Sequence, residues 1–105
     1  MNFRGGMNEL MRQAARMQRK IDQAKEAARD KEIVTEAAGG KVKATVTYAR
    51  RVVKLEIDPE FMKAEGDLAL DSACAALNSA LEQADKAMEA EVDKVTGGVK
   101  IPGTG

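Results

Sequence analysis

The sequence predicts an α+β fold in which a long helix, a three-stranded antiparallel sheet and a second long helix follow one another. In both terminal parts of the chain, apolar residues recur every three or four positions, as on one face of a helix. Between them, apolar and polar residues alternate, as in strands with one buried face. The chain has 105 residues, the size of a single domain, which we place at residues 1–105.

The first helix is predicted over residues 7–29. Its apolar positions are separated by 4, 3, 4, 3 and 4 residues: Leu10, Ala14, Met17, Ile21, Ala24 and Ala28. Neither proline nor glycine interrupts this stretch. At about 1.5 Å per residue the helix would be roughly 35 Å long. We therefore expect a long amphipathic helix whose apolar stripe faces a partner element.

Three strands are predicted over residues 32–38, 41–48 and 51–58. The apolar residues that alternate in the last two strands are Val42, Ala44, Val46, Tyr48, Val53, Leu55 and Ile57. Each strand should therefore have one buried face and one exposed face. Gly39 and Gly40 tolerate the positive φ angles of a two-residue hairpin. The second turn, at Ala49 and Arg50, lacks such residues, and a longer turn is expected there.

The second helix is predicted over residues 67–95. Pro59 ends the third strand, and a polar segment leads to Asp67, the predicted N-cap. The apolar stripe that we expect to be buried consists of Leu70, Cys74, Leu77, Leu81, Ala84, Met88 and Val95. Gly97 and Gly98 end the helix, and the tail 97–105 is predicted to be flexible.

The helices are longer than the sheet that they would cover. A strand of eight residues spans only about 27 Å, whereas the second helix would span roughly 44 Å. In a monomer the overhanging apolar stripes would be exposed to water. We therefore expect them to cover each other or a second copy, and a two-fold homodimer is the first prediction.

The composition argues against catalysis. There is no histidine, the commonest general base and metal ligand, and the lone Cys74 is expected to be a buried, unreactive thiol. Asp58 and Glu60 have no further acidic cluster beside them that would suggest a metal site. We predict no enzyme activity, cofactor, metal or small-molecule substrate. Because no leader and no apolar run of about 20 residues is found, we expect a cytoplasmic protein without membrane contact.

The charges are sorted along the chain, although the net charge is zero. Residues 1–54 contain 13 Lys/Arg against 6 Asp/Glu, and residues 55–105 contain 4 against 11. The outward face of the first helix carries four cations: Arg12, Arg16, Arg19 and Lys20. The outward face of the second helix carries Asn78, Glu82, Asp85 and Glu89. Such sorting indicates contact with a polyanion or with an oppositely charged protein surface.

Duplex DNA is the polyanion that the basic residues fit best. Arginine presents a planar fork of donors that grips phosphate in two places. The basic track of the first helix could continue through Lys41, Lys43, Arg50, Arg51 and Lys54. A single tyrosine, Tyr48, cannot form the stacking platform that single strands require. Because phosphate contacts carry no sequence information, specificity should be weak.

Two other interpretations remain open at this point. The basic faces can be ordinary solvated surface, since Glu9, Asp22 and Glu26 are close enough in sequence to pair with some of the cations. A zero net charge also disfavours non-specific DNA binding. Alternatively, the protein is an interaction adaptor without DNA, in which the oppositely charged helix faces join dimers to one another or to a partner.

Four segments carry a family resemblance. They are residues 5–14 (GGMNELMRQA) with Met17, Gln18 and Ile21, residues 55–60 (LEIDPE), the helix positions Leu77, Asn78, Ala80 and Leu81, and residues 96–103 (TGGVKIPG). In this order and over this length, the chain resembles the YbaB/EbfC family of bacterial nucleoid-associated proteins. The resemblance covers nearly the whole chain.

The resemblance implies a small cytoplasmic homodimer whose paired helices project from a central sheet like tweezers. It implies binding to double-stranded DNA in the nucleoid, with a role in nucleoid organisation or gene regulation. The family's first and last helices are implicated in DNA contact. The matching first-helix positions here are Arg12, Arg16, Arg19 and Lys20. The turn at residues 48–51 departs from the Asn/Gly-rich turn usual in the family.

Overall fold

The computed structural model describes residues 3–98 and confirms the predicted order of a helix, three strands and a helix. The elements are α1 (Phe3–Ala28), β1 (Glu32–Ala37), β2 (Val42–Thr47), β3 (Val52–Ile57), α2 (Pro59–Ala64) and α3 (Gly66–Thr96), with a 3₁₀ turn at Ala38–Gly40. The strands form one antiparallel sheet in the order β1-β2-β3. Apart from Gly97 and Gly98, the predicted tail 97–105 lies outside the described residues.

Several predicted boundaries differ from the structure. Helix α1 begins at Phe3 rather than Met7, so Gly5 and Gly6 lie within it. The polar segment after β3 forms the short helix α2, because Pro59 occupies a first-turn position where its fixed φ favours a helix. The prediction of Asp67 as N-cap was wrong, since α3 begins one residue earlier. Asp67 lies instead in the first turn, where its charge suits the helix dipole.

The core lies between the central strand and α3. Val42, Ala44 and Val46 of β2 are completely buried. The face of α3 that covers them consists of alanines: Ala69, Ala73, Ala76, Ala80 and Ala84. Side chains this small let the helix backbone come close to the sheet, and the Thr35 hydroxyl of β1 donates a buried 2.7 Å hydrogen bond to the Ala76 carbonyl. This contact fixes α3 across β1 and β2.

The predicted buried stripe of α3 was wrong in phase. Leu70 and Cys74 are exposed, and Leu77 and Leu81 are only partly buried at the margin of the core. Of the predicted stripe, only Ala84 is fully buried. The leucines and the alanines both recur at helical spacing, and close packing selects the smaller set. Because Cys74 lies on the margin, the prediction of a buried thiol was also wrong.

The predicted buried face of the third strand was wrong as well. Val52, Val53 and Leu55 are 50%, 49% and 41% exposed, and Ile57 is partly buried. Helix α3 lies over β1 and β2 and barely reaches β3. A register shift opposite Thr45 and Val46 also places Val52 rather than Val53 across from Val46. The chain therefore leaves an apolar strand edge uncovered.

The two turns of the sheet are longer than a minimal hairpin. The prediction of a two-residue hairpin at Gly39 and Gly40 was wrong, because Ala38–Gly40 and Lys41 together separate β1 from β2. Ala38 has a φ of 52°, in the left-handed region. The longer second turn is confirmed: residues 48–51 separate β2 from β3, and Arg50 has a φ of 69°. Both turns therefore hold a residue other than glycine in a strained conformation.

The helices extend well beyond the sheet, as their predicted lengths indicated. The molecule measures 76 × 20 × 17 Å. Ile21 and Ala28 in the second half of α1 are buried, and α1 packs against α3. In its first half Met7, Leu10 and Met11 are more than 60% exposed. No helix within residues 3–98 is long and apolar enough to cross a membrane.

An ion-pair cluster connects the C-terminal half of α3 to the short segment between α1 and β1. The Glu91 carboxylate lies 2.7 Å from the Lys94 ammonium and 3.3 Å from that of Lys31. The hydrogen bonds from Lys94 and then Lys31 lower the pKa of Glu91 below its ordinary value of 4.5. The same contact raises the pKa of Lys94. Glu91 therefore stabilises the folded state only while it is ionised.

Replacing Glu91 with Gln should lower the free energy of unfolding at neutral pH. A carboxyl group whose pKa is lower in the folded state stabilises the protein at any pH above its pKa in the unfolded state. This stability is lost as the pH falls through its pKa in the folded state. Wild type and Glu91→Gln should therefore differ at pH 7 and converge in acid, as measured by urea unfolding from about pH 3 to pH 8. Glu82→Gln, an exposed change on the same helix, is the control. A difference that persists below both pKa values would contradict this role.

Replacing Ala38 with Gly should stabilise the protein. A left-handed alanine costs about 1–2 kcal/mol, part of which the greater entropy of unfolded glycine offsets. We expect a net gain of about 0.5–1 kcal/mol in urea unfolding. The matched control is Ala37→Gly, because Ala37 is extended with a φ of −142°. That change should destabilise the protein, and equal effects of the two changes would show that the turn is unstrained.

Candidate nucleic-acid interface

The outward face of α1 carries the predicted basic stripe, which we define as Arg12, Arg16, Arg19 and Lys20. At about 100° of rotation per residue, Arg12 and Arg19 point away from Ile21 and Ala28, which are buried in the chain. All four basic side chains are exposed. The stripe belongs to a continuous helix, so its members keep fixed positions relative to one another. It can present a row of donors to an extended anion.

Only part of this stripe is free of internal partners. The Glu9 carboxylate lies 3.7 Å from the Arg12 guanidinium and 3.4 Å from that of Arg16. Within residues 5–98, whose side chains the structure describes, Arg19 and Lys20 make no ion pair. The sequence had indicated Glu9 as a partner by its spacing alone. The stripe therefore contains two partly neutralised and two unpaired cations.

The cations of the sheet lie in mixed-charge surroundings. Lys43 lies 3.7 Å from Glu36, and Lys54 lies 3.4 Å from Glu56. Both pairs lie on the face opposite α3, since the intervening Ala44 faces the helix. The ammonium group of Lys41 lies 5.2 Å from the centre of the Phe61 ring, within reach of a cation–π interaction. Each of these three lysines therefore already has an acidic or aromatic neighbour within the chain.

The two arginines of the β2–β3 turn have different surroundings. The guanidinium of Arg50 lies 2.5 Å from the Asp85 carboxylate of α3, which ties the turn to the helix. This long-range pair could not be read from sequence spacing, because 35 residues separate its partners. Arg51 is exposed, and among the described side chains it has no ion-pair partner. Of the two, Arg51 is the one whose charge is available to a ligand.

A shallow groove separates α1, the β2–β3 turn and α3. Its volume is about 520 Å³, and its lining residues include Asp22, Lys25, Glu26, Arg29, Tyr48, Arg50, Asp85 and Met88. Acidic and basic side chains alternate around it, so the groove offers no concentrated charge of either sign. Within residues 3–98, no group of three or more Cys, Asp or Glu side chains is placed to hold a metal ion. The groove therefore lacks the features of an anion site.

The outer face of α3 has the opposite sign from the stripe of α1. Glu82, Asp85 and Glu89 are exposed there, as the periodicity predicts, and Asn78 is also exposed. Phosphate would be repelled from this face and attracted to the stripe of α1. A nucleic acid would therefore approach the α1 side.

A family model, a relative and a solved structure are each similar to this chain. The model of the YbaB/EbfC DNA-binding family matches residues 3–99. A protein of Alkaliphilus metalliredigens named as a nucleoid-associated protein is 35% identical over 98 residues, which are 92% of this chain and 86% of that protein. The crystal structure of an uncharacterized protein from Helicobacter pylori has a TM-score of 0.72 at 18% identity and covers 92% of this chain and 99% of its own. That structure supports the fold alone.

Proposed function

Because the chain belongs to the YbaB/EbfC DNA-binding family, which is not a family of enzymes, we propose that it binds double-stranded DNA as a homodimer. Binding occurs mainly through phosphate contacts from the basic stripe of α1, with weak sequence specificity. By likeness to the nucleoid-associated relative, the protein acts in the cytoplasm on the nucleoid, in its organisation or in gene regulation.

The observation that carries this proposal is the exposed stripe on a helix that extends beyond the sheet. Arg19 follows Arg12 by seven positions, which corresponds to roughly 10.5 Å along the helix. Duplex DNA rises about 3.4 Å per base pair, so the stripe can follow the backbone for about three phosphates. Two protomers would then make about six contacts, which gives a slope near −5 in a plot of log K against log salt.

The internal ion pairs favour DNA over the adaptor hypothesis. Asp85 and Glu91 of α3 already pair with Arg50 and Lys31 of the same chain. Part of the acidic charge that would attract another dimer is therefore used within the fold. Arg19 and Lys20 of α1 are exposed and make no ion pair within the described residues, so they remain available to phosphate.

The surface that we assign to the homodimer contact is the uncovered apolar edge. Leu55 and Val52 lie on the α3 side of the sheet, because they pair with Ala44 and Val46. On α3, Leu70 and Cys74 are exposed beside the buried alanines. These residues continue the hydrophobic core outward, and a second copy would remove them from water.

Replacing Arg16 and Arg19 together with Gln should weaken DNA binding strongly. If each arginine of the dimer contacts one phosphate, the removal of four phosphate contacts should reduce the salt slope by about 3.6. Fluorescence anisotropy of a labelled random-sequence duplex at several salt concentrations measures both effects. The matched control is Lys63→Gln with Lys86→Gln, which removes the same charge from α2 and α3.

Equal losses in the two double variants would show that only net charge matters and would remove the assigned interface. Wild-type binding without salt dependence would contradict phosphate contact itself. Light scattering of the protein alone tests the adaptor hypothesis, which predicts assemblies larger than a dimer at low salt. We expect a dimer at every salt concentration.

Replacing Leu55 with Glu should convert the dimer to a monomer. A buried carboxylate without a partner would cost several kcal/mol at an apolar contact. Analytical ultracentrifugation gives the mass, and circular dichroism checks that the helices remain. The control is Val34→Glu, because Val34 is 58% exposed on the opposite face of the sheet. A dimer that survives Leu55→Glu would place the contact elsewhere.

A further inference from the structure

Glu9 is placed between the two arginines at the outer end of the basic stripe. Its two carboxylate oxygens point to different partners: Oε2 lies 3.7 Å from Arg12 Nη1, and Oε1 lies 3.4 Å from Arg16 Nη2. The residue precedes Arg12 by one helical turn and Arg16 by two. The Glu9 side chain remains 51% exposed, so solvent and a ligand can reach it.

We propose that Glu9 sets the affinity for DNA by competing with phosphate for Arg12 and Arg16. This proposal rests on the function proposed above. A guanidinium binds phosphate best when its planar fork is free to make two hydrogen bonds. Because one carboxylate lies against one nitrogen of each guanidinium group, a phosphate has to displace Glu9 before it can use the donors that face it. The carboxylate also repels any phosphate that approaches the pair.

The competition divides the basic stripe into two parts. Arg19 has no carboxylate partner among the described side chains, and the same holds for Lys20. These two cations can contact phosphate without breaking an internal pair. Arg12 and Arg16 contribute only the difference between their attraction to phosphate and their attraction to Glu9. The affinity for DNA should therefore be lower than that of a stripe in which all four cations are unpaired.

The test is the binding of a labelled random-sequence duplex to Glu9→Gln, measured by fluorescence anisotropy at several salt concentrations. Glutamine keeps the size of the side chain and removes its charge. We expect the affinity of the dimer to rise about two- to thirty-fold, the range that corresponds to one exposed ion pair in each of its two protomers. The slope of log K against log salt should steepen by about 0.9 for each additional phosphate that the variant engages.

The matched control is Glu26→Gln. Glu26 lies on the same helix, is 70% exposed and pairs with Arg29 at 3.3 Å, three residues away. Its replacement removes the same charge from α1, but from a carboxylate whose ion-pair partner, Arg29, is not part of the stripe. If Glu26→Gln tightens binding as much as Glu9→Gln, net charge explains the effect and the proposal is overturned.

A combined variant separates this proposal from the function on which it rests. In a protein that already carries Arg12→Gln and Arg16→Gln, the change Glu9→Gln should tighten binding much less than it does in wild type, because only the direct repulsion of phosphate by Glu9 is left to remove. Equal tightening in both backgrounds overturns the competition. Wild type that fails to bind duplex DNA overturns the proposed function itself, whereas wild type that binds and is unaffected by Glu9→Gln overturns only the role of Glu9.

Discussion

The close contact between the alanine face of α3 and the central strand determines the rest of the structure. Ala69, Ala76 and Ala80 are almost completely buried against β2, and no larger side chain could take their place without moving the helix. This contact directs α3 past the end of the sheet, where α1 packs against it. The same contact leaves most of β3 uncovered, because a helix that packs over β1 and β2 makes little contact with the far edge of the sheet. The position of the basic stripe and the exposed apolar edge both follow from it.

The spacing of apolar residues predicted the fold well, because the helical repeat of three or four residues differs clearly from the two-residue alternation of a strand. It failed where two apolar sets share one helix, as with Leu77 and Ala76, since both recur at helical spacing and packing alone decides between them. It also failed at β3, whose alternation is that of a buried strand although most of its apolar residues lie open in the chain. That alternation is consistent with a face that another molecule covers. Periodicity does not predict α2, because its six residues are too few to show a helical repeat and only the first-turn preference of Pro59 marks where it begins.

The candidate interface could be predicted only in its local part. Helical spacing alone places Arg12, Arg16 and Arg19 on one face and brings Glu9 within reach of two of them. The partners of Arg50 and Lys31 come from α3, so their pairing depends on how the chain folds and has no signal in sequence spacing. The sorted charges therefore do not act as two uniform surfaces. Some stabilise the fold, and the unpaired cations of α1 remain for a ligand.

The overhanging half of α1 can serve two partners because its faces are separate. Leu10 is 63% exposed, and about 100° of rotation per residue places it nearly opposite Arg12 and Arg19. An apolar partner surface on the Leu10 side would leave the arginines accessible, and DNA on the arginine side would leave Leu10 to that partner. Covering Leu10 would also hold the helix rigid, so that its cations would not have to be ordered when phosphate binds. Contact with such an apolar partner and DNA binding would then support each other without sharing a single side chain.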